Sequence, residues 1–129
     1  MVIVQEEIAK AVEAEFSDRL TVYREIVPEE DEPGPFIQIG YGLTNYQNGK
    51  NFRRGETELN VHLWHDAVNE NDRFTEILQD LLKFLGRLEE VPGFVLIPQN
   101  METTTTKNVE TSTTWLQGAI NAKYVFAGY

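Results

Sequence analysis

From Trp115 to Phe126 the chain alternates without a break, Leu116, Gly118, Ile120, Ala122, Tyr124 and Phe126 against Trp115, Gln117, Ala119, Asn121, Lys123 and Val125. A period of two belongs to a strand with its two faces in different surroundings. A strand that long needs neighbours on its edges and a second layer over its apolar face. The sequence supplies that cover in one segment. Phe74, Ile77, Leu78, Leu81, Leu85 and Leu88 form a single helical stripe flanked by Leu82 and Phe84, while Arg73, Glu76, Gln79, Asp80, Lys83 and Arg87 point away. Asn69 or Asn71 is the expected N-cap, with Glu70 and Asp72 in the first turn.

The remaining segments follow the same two periods. Val4, Ile8, Val12 and Phe16 stand at i, i+4 steps and predict an N-terminal amphipathic helix that ends between Ser17 and Arg19. "LTVYREIVP" alternates up to Pro28 and predicts a first strand. "PFIQIGYG" predicts a second, with Ile37, Ile39 and Tyr41 on one face, and residues 57 to 65 a third, with Leu59, Val61 and Leu63 inward. "FVLIPQNMETTTT" reads as a fourth strand after "VPG". The threonine-rich run 103–114 is either a projecting hairpin or a flexible linker, and threonine on both sides of a Lys107-Asn108 turn signal favours the hairpin. The expectation is one α+β domain over 1–129, a two-layer sandwich of a mainly antiparallel sheet and two helices in the order α-β-β-β-α-β-β.

Composition narrows the function. Hydrophobic residues at 41% of the 129 supply a packed core, and the absence of cysteine removes disulfides, thiolate metal sites and cysteine nucleophiles. No segment reads as a secretory signal or a membrane span, so synthesis in the cytoplasm is expected. The formal net charge of −10 argues against a general nucleic-acid binder. That charge is uneven. Residues 1–33 hold ten of the 21 acids against three bases, including the run Glu29, Glu30, Asp31 and Glu32, whereas 42–55 carries Lys50, Arg53 and Arg54 and no acid. The acidic run lacks the oxygen-ligand spacing and internal glycine of a calcium loop.

Both histidines, His62 and His65, lie in "GETELNVHLWHDAVNEND". On a strand they point to opposite faces with roughly 10 Å of backbone between them, too far for two bonds of about 2 Å to one metal ion. His65-Asp66 reads instead as the end of the strand and the start of a turn. No phosphate-binding glycine loop, nucleophile elbow or HExxH motif is present, and a nucleophile, base and orienter cannot be assembled from any local spacing, so the chain is not expected to be an enzyme. Recognition by surface remains. Trp64 and Trp115 fall on the more polar faces of their strands, with Tyr46 and Phe52 beside the basic residues; these are interface anchors, or else the tryptophans pack beneath a loop or helix.

The succession of "VYREIVP", "PFIQIGYG", a polar loop, a strand ending in "LWHD", a helix with core "ILQDLLKFL" and a β-rich C-terminus resembles the small tail-completion or tail-terminator proteins, the minor tail and head-tail joining proteins, of long-tailed bacteriophages and prophages, over about residues 3–126. That resemblance implies an α+β subunit without a cofactor. It implies assembly with copies of itself into a ring, commonly a hexamer, that caps the tail tube and joins it to the head connector while DNA passes through. A net-negative ring suits a conduit that must not hold its DNA. In this setting Lys50, Arg53 and Arg54 are expected to meet an acidic neighbour such as the 29–32 loop across subunits. The alternative is a small cytoplasmic adaptor or inhibitor that binds one partner through an edge strand.

Overall fold

The computed structural model describes residues 3–24, 35–48, 53–65, 71–109 and 114–128. Its elements run α1 (Val4–Phe16), β1 (Thr21–Arg24), β2 (Phe36–Asn48), β3 (Arg53–His65), α2 (Asn71–Arg87), β4 (Glu90–Val91), β5 (Phe94–Pro98), β6 (Glu102–Val109) and β7 (Thr114–Gly128). The fold is mixed α+β, built on one seven-stranded sheet in the order β1-β2-β3-β7-β5-β4, with β6 also paired to β7. Only the β1–β2 pair is parallel; the other described pairs are antiparallel.

The long alternating segment is the axis of the sheet. One edge of β7 pairs with β3 over its whole length, from Arg53↔Gly128 to His65↔Leu116. The other edge is shared between β5, opposite Tyr124 to Gly128, and β6, opposite Thr114 to Asn121. The inward residues form one core with both helices: Ile37 and Ile39 from β2, Leu59, Val61 and Leu63 from β3, Ile120, Tyr124 and Phe126 from β7, Val4, Ile8, Val12 and Phe16 from α1, and Phe74, Ile77, Leu81 and Leu85 from α2. The expected stripe of α1, that of α2 from Phe74 to Leu85 and the inward residues expected of the strands are buried, except that Tyr41 and, past the end of α2, Leu88 are only partly buried. Gly118 leaves room for this packing, since a Cβ there would stand 2.7 Å from Leu78 Cδ1 and 3.3 Å from Phe74.

The expected order of elements needs correction. The segment expected as one strand after "VPG" is two, β5 and β6, which follow one another along the same edge of β7, and the unexpected β4 before them forms a tight hairpin with β5 through Pro92-Gly93. Gly93 has φ +88°, the conformation that position three of a Pro-Gly turn requires and that a two-residue strand beside it conceals from any periodicity argument. The break between β5 and β6 is a bulge. Pro98 faces Tyr124 and Glu102 faces Asn121, so three residues on one side oppose two on the other, and inward positions change from even to odd numbers. Nor is the sheet flat. The strands at the two ends of its path, β1 and β4, both touch α1, so the sheet curls around that helix.

In the run 103–114, β6 pairs antiparallel with β7 from Thr103 opposite Ile120 to Val109 opposite Thr114, so the turn expected at Lys107-Asn108 is not there: both residues lie within β6, opposite Leu116 and Trp115. Asn71, one of the two expected N-caps of α2, is instead its first helical residue, while Asn69, the second half of the first expected strand and the acidic 29–32 loop lie outside the described residues.

Candidate functional site

Among the described residues the helices lie on one face of the sheet and neither lies on the other, the open face. On that open face the polar partners of the core residues pair with one another. Asn121 donates to Asn60 Oδ1 at 2.9 Å, and Gln117 Nε2 stands 3.1 Å from His62 Nδ1. His62 is half-buried among them, and desolvation lowers its pKa from the ordinary 6.5. A neutral imidazole therefore accepts from Gln117 at Nδ1, because the cation would present a proton to an amide that already donates. His65, 1% exposed, closes the core face of β3. The two imidazoles stand on opposite faces, as the strand period requires. Among the described residues no group of three or more His, Asp or Glu side chains could hold a metal ion.

A second irregularity shapes this face. Tyr41 pairs with Leu59 but Thr44 with Thr57, so Gly42 and Leu43 together oppose the single residue Glu58. A bulge leaves backbone groups outside the ladder, and here side chains take them up. Gln5, a buried polar residue of α1, donates to the Gly42 carbonyl at 2.8 Å and to the Glu58 carbonyl at 3.1 Å, while Glu58 Oε1 accepts from the Leu43 amide at 3.3 Å. The bulge turns Leu43 outward, where it is 78% exposed.

Glu58 is also the cross-strand partner of Lys123, and Lys123 lies beside the bulge between β5 and β6. Two bulges therefore flank one row of the sheet. Between them lies a cleft of about 450 Å³ whose outward lining includes Leu43, Glu56, Glu58, Asn100, Glu102 and Lys123. Three carboxylates against one ammonium make it acidic. Beside it, Val95 and Ile97 alternate outward on β5, 54% and 58% exposed, next to their cross-strand partners Ala127 and Val125. This combination of acidic cleft and aliphatic strip is the most distinctive surface among the described residues, and it suits binding of a protein surface more than chemistry on a small molecule.

The residues expected at an interface are dispersed. Arg53 and Arg54 are consecutive on β3 and so project to opposite faces: the Arg53 guanidinium lies 5.1 Å from the Phe94 ring, whereas Arg54 Nε donates to Gln47 Oε1 at 3.3 Å on the open face. Tyr46 is turned toward the core and meets Phe126 edge-on at 5.2 Å. Trp64 is half-buried and stacks on Phe36 of the adjacent strand β2 at 6.4 Å. Trp115 sits on β7 opposite Asn108, with its side chain outside the described set. Lys50, Phe52, Glu29, Glu30, Asp31 and Glu32 also lie outside the described residues. The cleft and strip were not found from sequence. Their signals were the paired glycines of "GYGL" and the Pro98 that ends β5, both of which mark interruptions of a ladder.

A mixed α+β protein with a curled sheet and both helices on one face of it is the class these features define. No protein-family model matches the chain, and no curated protein sequence matches it. Among solved structures, the fold is similar to a chain of the virion of a native gene transfer agent particle, at 14% identity and TM-score 0.55, covering 95% of this chain and 94% of that one. It is also similar to a solved protein that carries no functional name, at 10% identity and TM-score 0.55, covering 99% of this chain and 97% of that one.

Proposed function

We propose that this chain is a structural protein of a phage-type virion, acting as a ring at the end of the tail tube that terminates the tail and joins it to the head connector. The observation that carries this reading is the end-to-end likeness to a chain of a gene transfer agent virion, in which neither protein has a large part without a counterpart. The sequence resemblance to tail-completion proteins leads to the same class by a separate route. The subunit's work is contact rather than catalysis, with copies of itself, the tube protein and the connector as partners and DNA as passing cargo.

Within the ring, the exposed Arg54 and the neighbouring Lys50 meet an acidic surface of the next subunit, the 29–32 loop being the foremost candidate. Arg53, held over Phe94, supports the local fold rather than the contact. Trp64, half-buried against Phe36, and Trp115 are the candidate contacts to the tube or connector.

Deleting the gene from its phage or prophage and imaging the particles tests the reading. Full heads separate from tails, with tails of irregular length, are expected. Normal infectious particles would reject it.

A further inference from the structure

We infer that the strip Val95, Ile97, Val125 and Ala127 is a self-association surface, which in solution packs against the same strip of a second copy and places Arg54 of each copy in the acidic cleft of the other. The inference goes beyond the virion reading and does not rest on it, because it concerns the purified chain alone.

The strip is built by register. Val95 faces Ala127 and Ile97 faces Val125, while the inward neighbours Phe94 and Leu96 are buried. Both outward β5 side chains are large, aliphatic and more than half exposed, on a face that neither helix covers. A strand in which both parities are apolar is the pattern of one buried on two sides. Here only one side is buried within the subunit.

Three successive outward rows cross β3, β7 and, where it extends, β5. The first is Arg54, Ala127 and Val95, the second Glu56, Val125 and Ile97, and the third Glu58 and Lys123 at the cleft. A two-fold axis along the second row, perpendicular to the strands, lays the first row of one copy over the third row of the other. Ile97 and Val125 then meet their own counterparts. Arg54 meets Glu58, and Glu102 lines the same cleft. The pairing occurs twice, which is the self-complementarity an isologous contact requires. Glu56 falls at the rim on β3, exposed, where the two carboxylates can turn into solvent.

Size sets the strength. Strands about 4.8 Å apart and residues about 3.4 Å apart make this patch roughly 300 Å² of sheet on each copy, well below a standard interface, so the dimer is weak and forms as concentration rises.

Sedimentation velocity from micromolar to millimolar protein tests the inference. The wild-type chain is expected to pass from monomer to dimer. Ile97→Asp, at an exposed position that leaves the core untouched, is expected to weaken association at least tenfold, about the effect of one uncompensated interface charge. Arg54→Glu and Glu58→Arg should each weaken it, and the double variant should recover it; circular dichroism shows whether each remains folded, and Ile97→Asp decides the matter if a Glu58 variant does not. A monomer at every concentration, or a dimer indifferent to Ile97→Asp, overturns the inference. A double exchange that folds but does not recover association overturns the two-fold arrangement.

Discussion

Removing one oxygen from Tyr124 should measurably destabilise this fold. Tyr124 is 1% exposed, and its hydroxyl donates at 2.6 Å to the carbonyl of Leu85, 39 residues away in the last turn of α2. The last four carbonyls of a helix have no amide partner within it. The Leu88 amide, at 3.5 Å, is at the outer limit of a bond to the same oxygen. Tyr124→Phe leaves that buried acceptor nearly orphaned while keeping the ring contacts. Such a loss costs about 1–2 kcal/mol. With an unfolding entropy of about 2.1 cal/mol/K per residue, the 129 residues give about 0.27 kcal/mol/K, so the melting temperature should fall by roughly 4–7 °C. The matched control is Tyr46→Phe. That hydroxyl is buried with no hydrogen-bond partner among the described residues, so its removal should leave stability unchanged or raise it. Calorimetric or circular-dichroism melts of the three proteins decide the matter. An unchanged melting temperature for Tyr124→Phe, or an equal fall for both variants, would refute the assignment of this bond as the tie between α2 and β7.

Two glycines of β2 and β3 provide a second contrast. A Cβ on Gly55 would overlap the Asn45 carbonyl oxygen, so Gly55→Ala should cost about 1–3 kcal/mol in denaturant titrations, whereas Gly40→Ala, with its nearest contact at 3.9 Å, should change stability by less than about 0.5 kcal/mol. Replacing Gln5 by Leu withdraws the donor from two backbone carbonyls at the bulge and should destabilise by about 1–3 kcal/mol, with hydrogen exchange rising around residues 41–44. His62 makes stability depend on pH. Its folded pKa is depressed, so the unfolded chain binds the proton first as pH falls through about 6.5; the stabilisation is complete above that value and is lost below it. Denaturation midpoints from pH 7.5 to 5 should therefore fall less for His62→Gln than for the wild type, and parallel curves would remove His62 as a cause.

Most of the fold was legible because two periodicities carry it. The stripe from Phe74 to Leu85 and the alternation on β3 and β7 each allow only one burial pattern, and the structure buries those residues. The histidines followed from the same period: once residues 57–65 form a strand, His62 and His65 cannot converge. What sequence did not disclose were the interruptions. The bulge at Gly42-Leu43 and the one after Pro98 each shift register by one residue, and nothing local to either stretch states which partner strand it faces. The cleft lies between those bulges, so it was invisible for the same reason. Adjacency in sequence is opposition on a strand. Arg53 and Arg54 stand on different faces, and only Arg54 reaches the open one.

The most direct test of the virion reading is to locate the protein in the particle. An epitope tag at the C-terminus, gold-labelled and imaged on intact particles by electron microscopy, should place label at the single point where tail meets head, in a small and constant number per particle. Label spread along the tail or over the head, or particles free of the protein, would contradict it.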